Sequence, residues 1–225
     1  MSQVDISIWQ TEEVANEHPN LKNEISDLIE DTFESWYGVG SNITVKSRDV
    51  DAPGEETTNS GSGYACFGDQ LEWDRLIGWW SSYATSCFYV SADSNLLITN
   101  GDADPDNGFT GEAYGGGQFA VVEHGPLASS SWNYSGAFKS SSYEFRLAMN
   151  SPHEVGHNLD CDHRDGRLDK QSDGDIQETI MTNRYGPIAI PEDWDLNCNN
   201  TTPDSEGDYT TKNDFSSCAK SKSYL

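Results

Sequence analysis

The sequence predicts an α+β fold, and three observations carry that expectation. Near the start, Val4, Ile6 and Ile8 alternate with Asp5 and Ser7, the period-two pattern of a half-buried strand. A helical period follows at Leu21, Ile25, Leu28, Ile29 and Trp36. Further on, the spacing of His153-Glu154-Val155-Gly156-His157 puts two imidazoles on one face of a helix. A chain of 225 residues has room for one sizeable core or two small lobes around a cleft, and a single domain over 1–225 is expected.

Each later element has its own signal. Gly38 is a natural stop for the helix that begins at Leu21, and Ile43 and Val45 suggest a second strand. Residues 51–63, rich in Gly, Ser, Thr and acid, read as a surface loop. From Asp69 to Tyr83, Leu71, Leu76, Ile77, Trp79 and Trp80 suggest a helix whose tryptophans pack in the interior. Leu96-Leu97-Ile98-Thr99 reads as a short buried strand. Asp102, Asp104 and Asp106 resemble the start of a calcium loop, although Asn107 and Ala113 stand where a glycine and a bidentate glutamate are needed. Ca2+ is therefore a secondary expectation. Gly111 to Val122 reads as an edge strand and its continuation, where an extended peptide could add along Gly111, Glu112, Ala113 and Tyr114. A glycine-rich hairpin without a ligand suits the same residues equally well. Ser151 and Glu154 fit a capping box with Pro152 at the first helical position.

Charge excludes some partners. The 38 acidic and 13 basic residues give a net charge of −25, spread along the whole chain. Nucleic acid and anionic membrane are disfavoured as partners, and no apolar run is long enough to span a bilayer. Seven tryptophans and 11% aromatic residues argue against disorder. Self-repulsion on this scale is screened in molar salt, so a halophilic protein is expected, with an ordinary acidic secreted protein as the alternative. The chain is expected to act as a monomer.

Met1-Ser2-Gln3-Val4-Asp5 lacks the basic and apolar regions of a signal peptide, which suits either a cytoplasmic protein or a mature fragment; an extracellular location is favoured. Five cysteines leave at least one unpaired in a monomer. The favoured pairing is Cys66 with Cys87 and Cys198 with Cys218, leaving Cys161 free; five buried thiols are the alternative.

Three of the five histidines lie in the eleven residues His153-Glu154-Val155-Gly156-His157-Asn158-Leu159-Asp160-Cys161-Asp162-His163. If the helix continued, His163 would lie about 15 Å beyond His153 on another face, so the helix must stop near Leu159 or Asp160 for the three rings to share one ion. Three imidazoles leave a tetrahedral zinc one open position, the mark of a catalytic site.

This stretch resembles the metzincin motif, with Asp160 in the glycine position. Aspartate is among the few side chains that tolerate positive φ. Within that group Gly156-His157-Asn158-Leu159 is most similar to the adamalysins (reprolysins), as are Leu71-Glu72-Trp73 ahead of Asn95-Leu96-Leu97-Ile98, and Asp214-Phe215-Ser216-Ser217-Cys218 near the end. Four departures stand out. Pro152 lies where the group's helix has already begun, the group's edge-strand cysteine is missing near Gln118, and Arg164 follows His163 where the group has aspartate. Asn183 stands in the place of an assisting tyrosine. Asp165 is one residue from that aspartate position and could take over its contact.

The resemblance implies a metzincin-like catalytic domain: a twisted mixed β-sheet with an active-site helix in an N-terminal lobe (1–163), and a small C-terminal lobe (164–225) with a terminal helix. It implies that His153, His157 and His163 hold Zn2+, that Glu154 is the general base, and that Met181, eighteen residues past His163, forms the Met-turn. A protein or peptide substrate would lie along the edge strand, with Tyr185, Pro187 and Ile188 walling a side-chain pocket. The activity implied is that of a zinc metalloendopeptidase. A zinc-binding module without proteolytic activity and a cytoplasmic aminopeptidase-like metzincin are the alternatives. Cys161 is expected to pack; a redox-sensitive inhibitory role is its alternative.

Overall fold

The computed structural model describes residues 4–37, 42–45, 49–51, 61–68, 70–73, 75–88, 90–100, 111–114, 117–124, 139–140, 148–172, 176–181, 198, 209–212 and 215–221. The central element is a five-stranded, mostly parallel sheet in the order β2-β1-β5-β7-β6. Its strands are β1 (Asp5–Gln10), β2 (Asn42–Val45), β5 (Ser94–Thr99), β7 (Phe119–Glu123) and the edge strand β6 (Gly111–Ala113). Only β6 runs antiparallel to its neighbour, with Gly111 opposite Val122 and Ala113 opposite Ala120.

Helices cover both faces, and the pleat sorts side chains between them. Ile6, Ile8, Leu96, Ile98, Ala120 and Val122 join one core with α2 (Leu21–Tyr37) and α4 (Asn150–Asn158). Trp9, Leu97 and Val121 point the other way, into a core with Trp79 and Trp80 of α3 (Leu76–Cys87). Burial on both faces corrects the half-buried reading of β1, in which every residue from Ile6 to Gln10 is buried. Four of the five periodic positions expected in α2, Leu21, Ile25, Leu28 and Ile29, have no exposed surface, and Phe33 joins them; the side chain of Trp36 lies outside the described residues. Each such side chain contributes about 1.5–3 kcal/mol by leaving water.

Two expectations need correction. Gln70–Trp73 forms a strand, β4, paired with β3 (Gly61–Tyr64), so helix α3 starts only at Leu76 and the end of the expected 51–63 loop is a strand. The bare face of Gly61 takes the Trp73 indole, since a Cβ there would stand 2.6 Å from Trp73 Cζ2. Of the two readings of 111–122, the hairpin is the one formed: β7 turns back into the sheet and β6 alone forms the edge.

Beyond the central sheet, α1 (Glu12–Glu17) follows β1, and a small sheet in the order β8-β11-β10-β9 joins Lys139–Ser140, Tyr209–Lys212, Ile176–Glu178 and Leu168–Lys170. A short helix, α5 (Ser217–Ser221), lies near the C-terminus, with Phe215 just before it packed on Phe33 at 5.1 Å between ring centroids. Cys66–Cys87 and Cys198–Cys218 are disulfides and Cys161 is a buried thiol outside either bridge, the favoured pairing from the sequence. Among the described residues no helix is long and apolar enough to cross a membrane.

Candidate metal centre

Helix α4 carries the first two histidines and is buried along its length except at His157. Pro152 falls in its first turn, where a missing N–H costs nothing. The expected capping box is not formed, because Met149 is the N-cap residue and makes no side-chain cap bond. Ser151 is committed elsewhere: its hydroxyl donates to His124 Nε2 across 2.7 Å, while His124 Nδ1 donates to the Glu123 carbonyl at 2.8 Å.

The helix ends where the third histidine requires. Asp160 has φ +63°, and among the described residues it is the only one besides glycine with positive φ. Cys161 N–H donates to the Gly156 carbonyl at 3.0 Å and Asp160 N–H to the His157 carbonyl at 3.1 Å, the two bonds of a Schellman ending. The chain then enters a 3-10 turn, His163–Asp165. Asp162 accepts from Arg164 N–H, and Asp165 accepts from Asp162 N–H, each at 2.7 Å. Asp165 thus grips the backbone of the turn that delivers His163. The Ser216 hydroxyl donates to the Asp165 carbonyl, tying the C-terminal segment to the same turn.

The three imidazoles converge. His157 Nε2 lies 3.1 Å from His153 Nε2 and 3.1 Å from His163 Nε2. Bonds of about 2.0–2.1 Å to one tetrahedral ion set ligand nitrogens roughly 3.3 Å apart, near both separations from His157, and the three ligand nitrogens all lie within 4.8 Å of one another. His153 Nδ1 donates to the Ile180 carbonyl at 2.7 Å and His157 Nδ1 to the Cys161 carbonyl at 2.8 Å. A carbonyl can only accept, so these bonds place the protons on Nδ1 and leave the Nε2 lone pairs facing one another. Burial, then the neighbouring His157, holds His163 down to about 4; the same causes, with His163 added, hold His153 well below its ordinary value. His153 and His163 therefore stay neutral at pH 7, the state that binds a metal. Among the described residues this is the one group of three or more histidine, cysteine or acidic side chains placed to share an ion.

Glu154 is 7% exposed and lies against β6, where a Cβ on Gly111 would stand 2.7 Å from its Oε1. Burial pushes its carboxyl up to about 8, and the Glu112 carboxylate adds to the shift. Glu112 is itself ion-paired with Arg75, just before α3. Ala113 is half-buried and Tyr114 is exposed. Behind the helix, Met181 is fully buried, and a Cβ on Gly156 would stand 2.6 Å from its Sδ and 3.0 Å from Phe215 Cε1. Gly156 is therefore the point where the Met181 segment and Phe215 close on α4. The Cys161 sulfur is buried, 3.9 Å from the Leu159 carbonyl. Asp102, Asp104 and Asp106, and likewise Asn183, Tyr185, Pro187 and Ile188, lie outside the described residues.

Sequence reading missed Asn158. Fully buried on α4, it accepts from the Ser94 hydroxyl at 2.6 Å and donates to the Phe119 and Tyr114 carbonyls at 2.9 and 3.2 Å. It fastens the histidine helix to the β6–β7 hairpin. Its place directly after His157 was the available signal, but nothing local says what a buried amide bonds. The Ile180 carbonyl and the His124–Ser151 pair are contacts across 27 residues and left no trace in the sequence pattern.

No family model matches the sequence, and no curated protein does. Among solved structures, the chain is similar to an archaemetzincin from Methanopyrus kandleri, at 18% identity and a TM-score of 0.44, over 72% of this chain and 76% of that one. A likeness that distant assigns neither a residue nor an activity to this chain.

Proposed function

We propose that this chain is the catalytic domain of a zinc-dependent metalloendopeptidase of metzincin type, closest in motif to the adamalysins. The observation that supports the reading most strongly is the gathering of three imidazoles whose ligand nitrogens all lie within 4.8 Å of one another, with two of the rings locked by backbone carbonyls. His153, His157 and His163 would hold the ion. Bound there, zinc would lower the pKa of water from 15.7 to about 7 and polarise the scissile carbonyl.

The remaining chemistry belongs to the chain. Glu154, buried next to His153 on the same helix, is placed to take a proton from the attacking water and return it to the leaving amine. The outer edge of β6 pairs with no strand of the sheet among the described residues, so an extended peptide can add there through backbone hydrogen bonds. The β6–β7 ladder, the Arg75–Glu112 pair and the Asn158 amide fix that edge relative to Glu154. Two disulfides favour an oxidising, extracellular setting, and the charge of −25 favours a salt-rich one.

Hydrolysis of an unfolded protein in molar salt, by the wild type and by Glu154→Gln, both zinc-loaded, tests the reading. Cleavage by the wild type alone supports it. If both hold zinc and neither cuts, the endopeptidase reading fails and a zinc-binding module takes its place.

A further inference from the structure

We infer that Gly111 is a positioning residue for Glu154, its missing side chain providing the space in which the glutamate is held beside the edge strand. The inference rests on the peptidase reading for its catalytic consequence and on geometry for its contact. A Cβ at Gly111 would stand 2.7 Å from Glu154 Oε1, 2.9 Å from Cγ and 3.1 Å from Cδ. Three successive atoms of the glutamate thus lie across the glycine. A methyl there collides with the length of the side chain and not only with its tip. Contacts this short are not sustained, so either the strand or the glutamate must yield.

The strand is the less free of the two. Gly111 pairs with Val122 in the ladder to β7. Glu112, on the opposite face of the pleat, is clamped by Arg75. At the far end, the Tyr114 carbonyl accepts from Asn158, which belongs to the same helix as Glu154. The strand is therefore held at Gly111, Glu112 and Tyr114, the last of these to the helix of Glu154 itself, and Glu154 is the part with rotatable bonds. Any residue larger than glycine at 111 turns the carboxyl away from its place while leaving the three imidazoles, which lie along α4 and the turn beyond it, as they are.

Kinetics on zinc-loaded Gly111→Ala, Glu154→Asp and the double variant provide the first test. Gly111→Ala is expected to lower kcat by about 10–100-fold with KM within about twofold and zinc content unchanged, the pattern of a misplaced catalytic group. Glu154→Asp removes the atom nearest the added methyl but keeps a carbon at the Cγ position, 2.9 Å away, so adding Gly111→Ala to it should cost less than the same change costs the wild type. A wild-type kcat for Gly111→Ala, or losses that multiply in the double variant, overturns the inference. Thermal unfolding gives a second test that needs no activity. Gly111→Ala should lower the midpoint in the wild-type background and leave it unmoved in a Glu154→Ala background; an equal response in both overturns the inference. A zinc-loaded wild type that cuts nothing would sink the peptidase reading alone, and the unfolding comparison would still decide the contact.

Discussion

The ring of His153 donates from Nδ1 to the carbonyl of Ile180 across 2.7 Å, so the helix that supplies the first histidine is joined at that ring to the segment carrying Met181. Met181 then closes on the back of the same helix at Gly156. The floor beneath the histidines is built from one backbone bond and one close approach, and both depend on residues 180 and 181 keeping their place.

Gly156 tests that floor. A Cβ there would stand 2.6 Å from Met181 Sδ and 3.0 Å from Phe215 Cε1. Gly156→Ala is expected to destabilise the chain by about 1–3 kcal/mol through overpacking, in spite of the better helix propensity of alanine. Chemical denaturation measures it, and an unchanged or higher stability would mean that Met181 and Phe215 are free to give way.

Asp160 tests the turn to His163. At φ +63°, Asp160→Gly relieves strain and should raise stability by up to about 1 kcal/mol, whereas Asp160→Val should lower it by about 1–2 kcal/mol. The Cys161 carbonyl that locks His157 lies one residue further on, so the valine variant should also bind zinc more weakly. Denaturation and competitive zinc titration read the two effects, and equal stability of the two variants would contradict the role given to this residue.

Both tests concern a stretch whose geometry was legible in sequence. Histidines four residues apart need a helix to meet, and a third at ten needs the helix to end, so local spacing implied a stop near Leu159 or Asp160, and the Schellman bonds show how that stop is made. Elsewhere, non-local packing decided. Gly61-Ser62-Gly63 looks like loop because glycine is poor in strands, yet the glycine at 61 opens the space that Trp73 fills from the partner strand. Leu71 and Trp73 merge with the apolar residues of α3 into one helical-looking run, and only the pairing with β3 separates them. β1 looked half-buried because alternation shows one apolar face; Ser7 and Trp9 are buried as well because a layer of helix covers the second. The strands of the small sheet are two to four residues long, too short for any period to show.

His124 gives the metal-free chain a pH dependence. Burial pushes its pKa down to about 4 from an ordinary 6.5. The folded chain binds that proton more weakly than the unfolded chain, so this contribution is complete above pH 6.5 and declines as pH falls toward 4. Between pH 6.5 and 5 it amounts to a loss of about 2 kcal/mol. The depressed His153 and His163 act in the same direction. Unfolding in molar salt at pH 7 and pH 5 should show a smaller acid loss for His124→Gln than for the wild type, and equal losses would rule out this source.

Salt should matter in proportion to the charge of −25. In dilute buffer the fold should be lost, and in molar KCl or NaCl, where the Debye length is about 3 Å, it should be kept. Circular dichroism across a salt series measures this directly, and a salt-independent spectrum would contradict it.

The most direct measurement of the central claim is X-ray absorption at the zinc edge of the loaded chain, with metal content determined on the same sample. One zinc per chain is expected, with three imidazole nitrogens at about 2.0–2.1 Å and no sulfur neighbour, and loss of one nitrogen in His163→Ala. No bound zinc, or a sulfur at about 2.3 Å drawn from Cys161, would contradict the site as described.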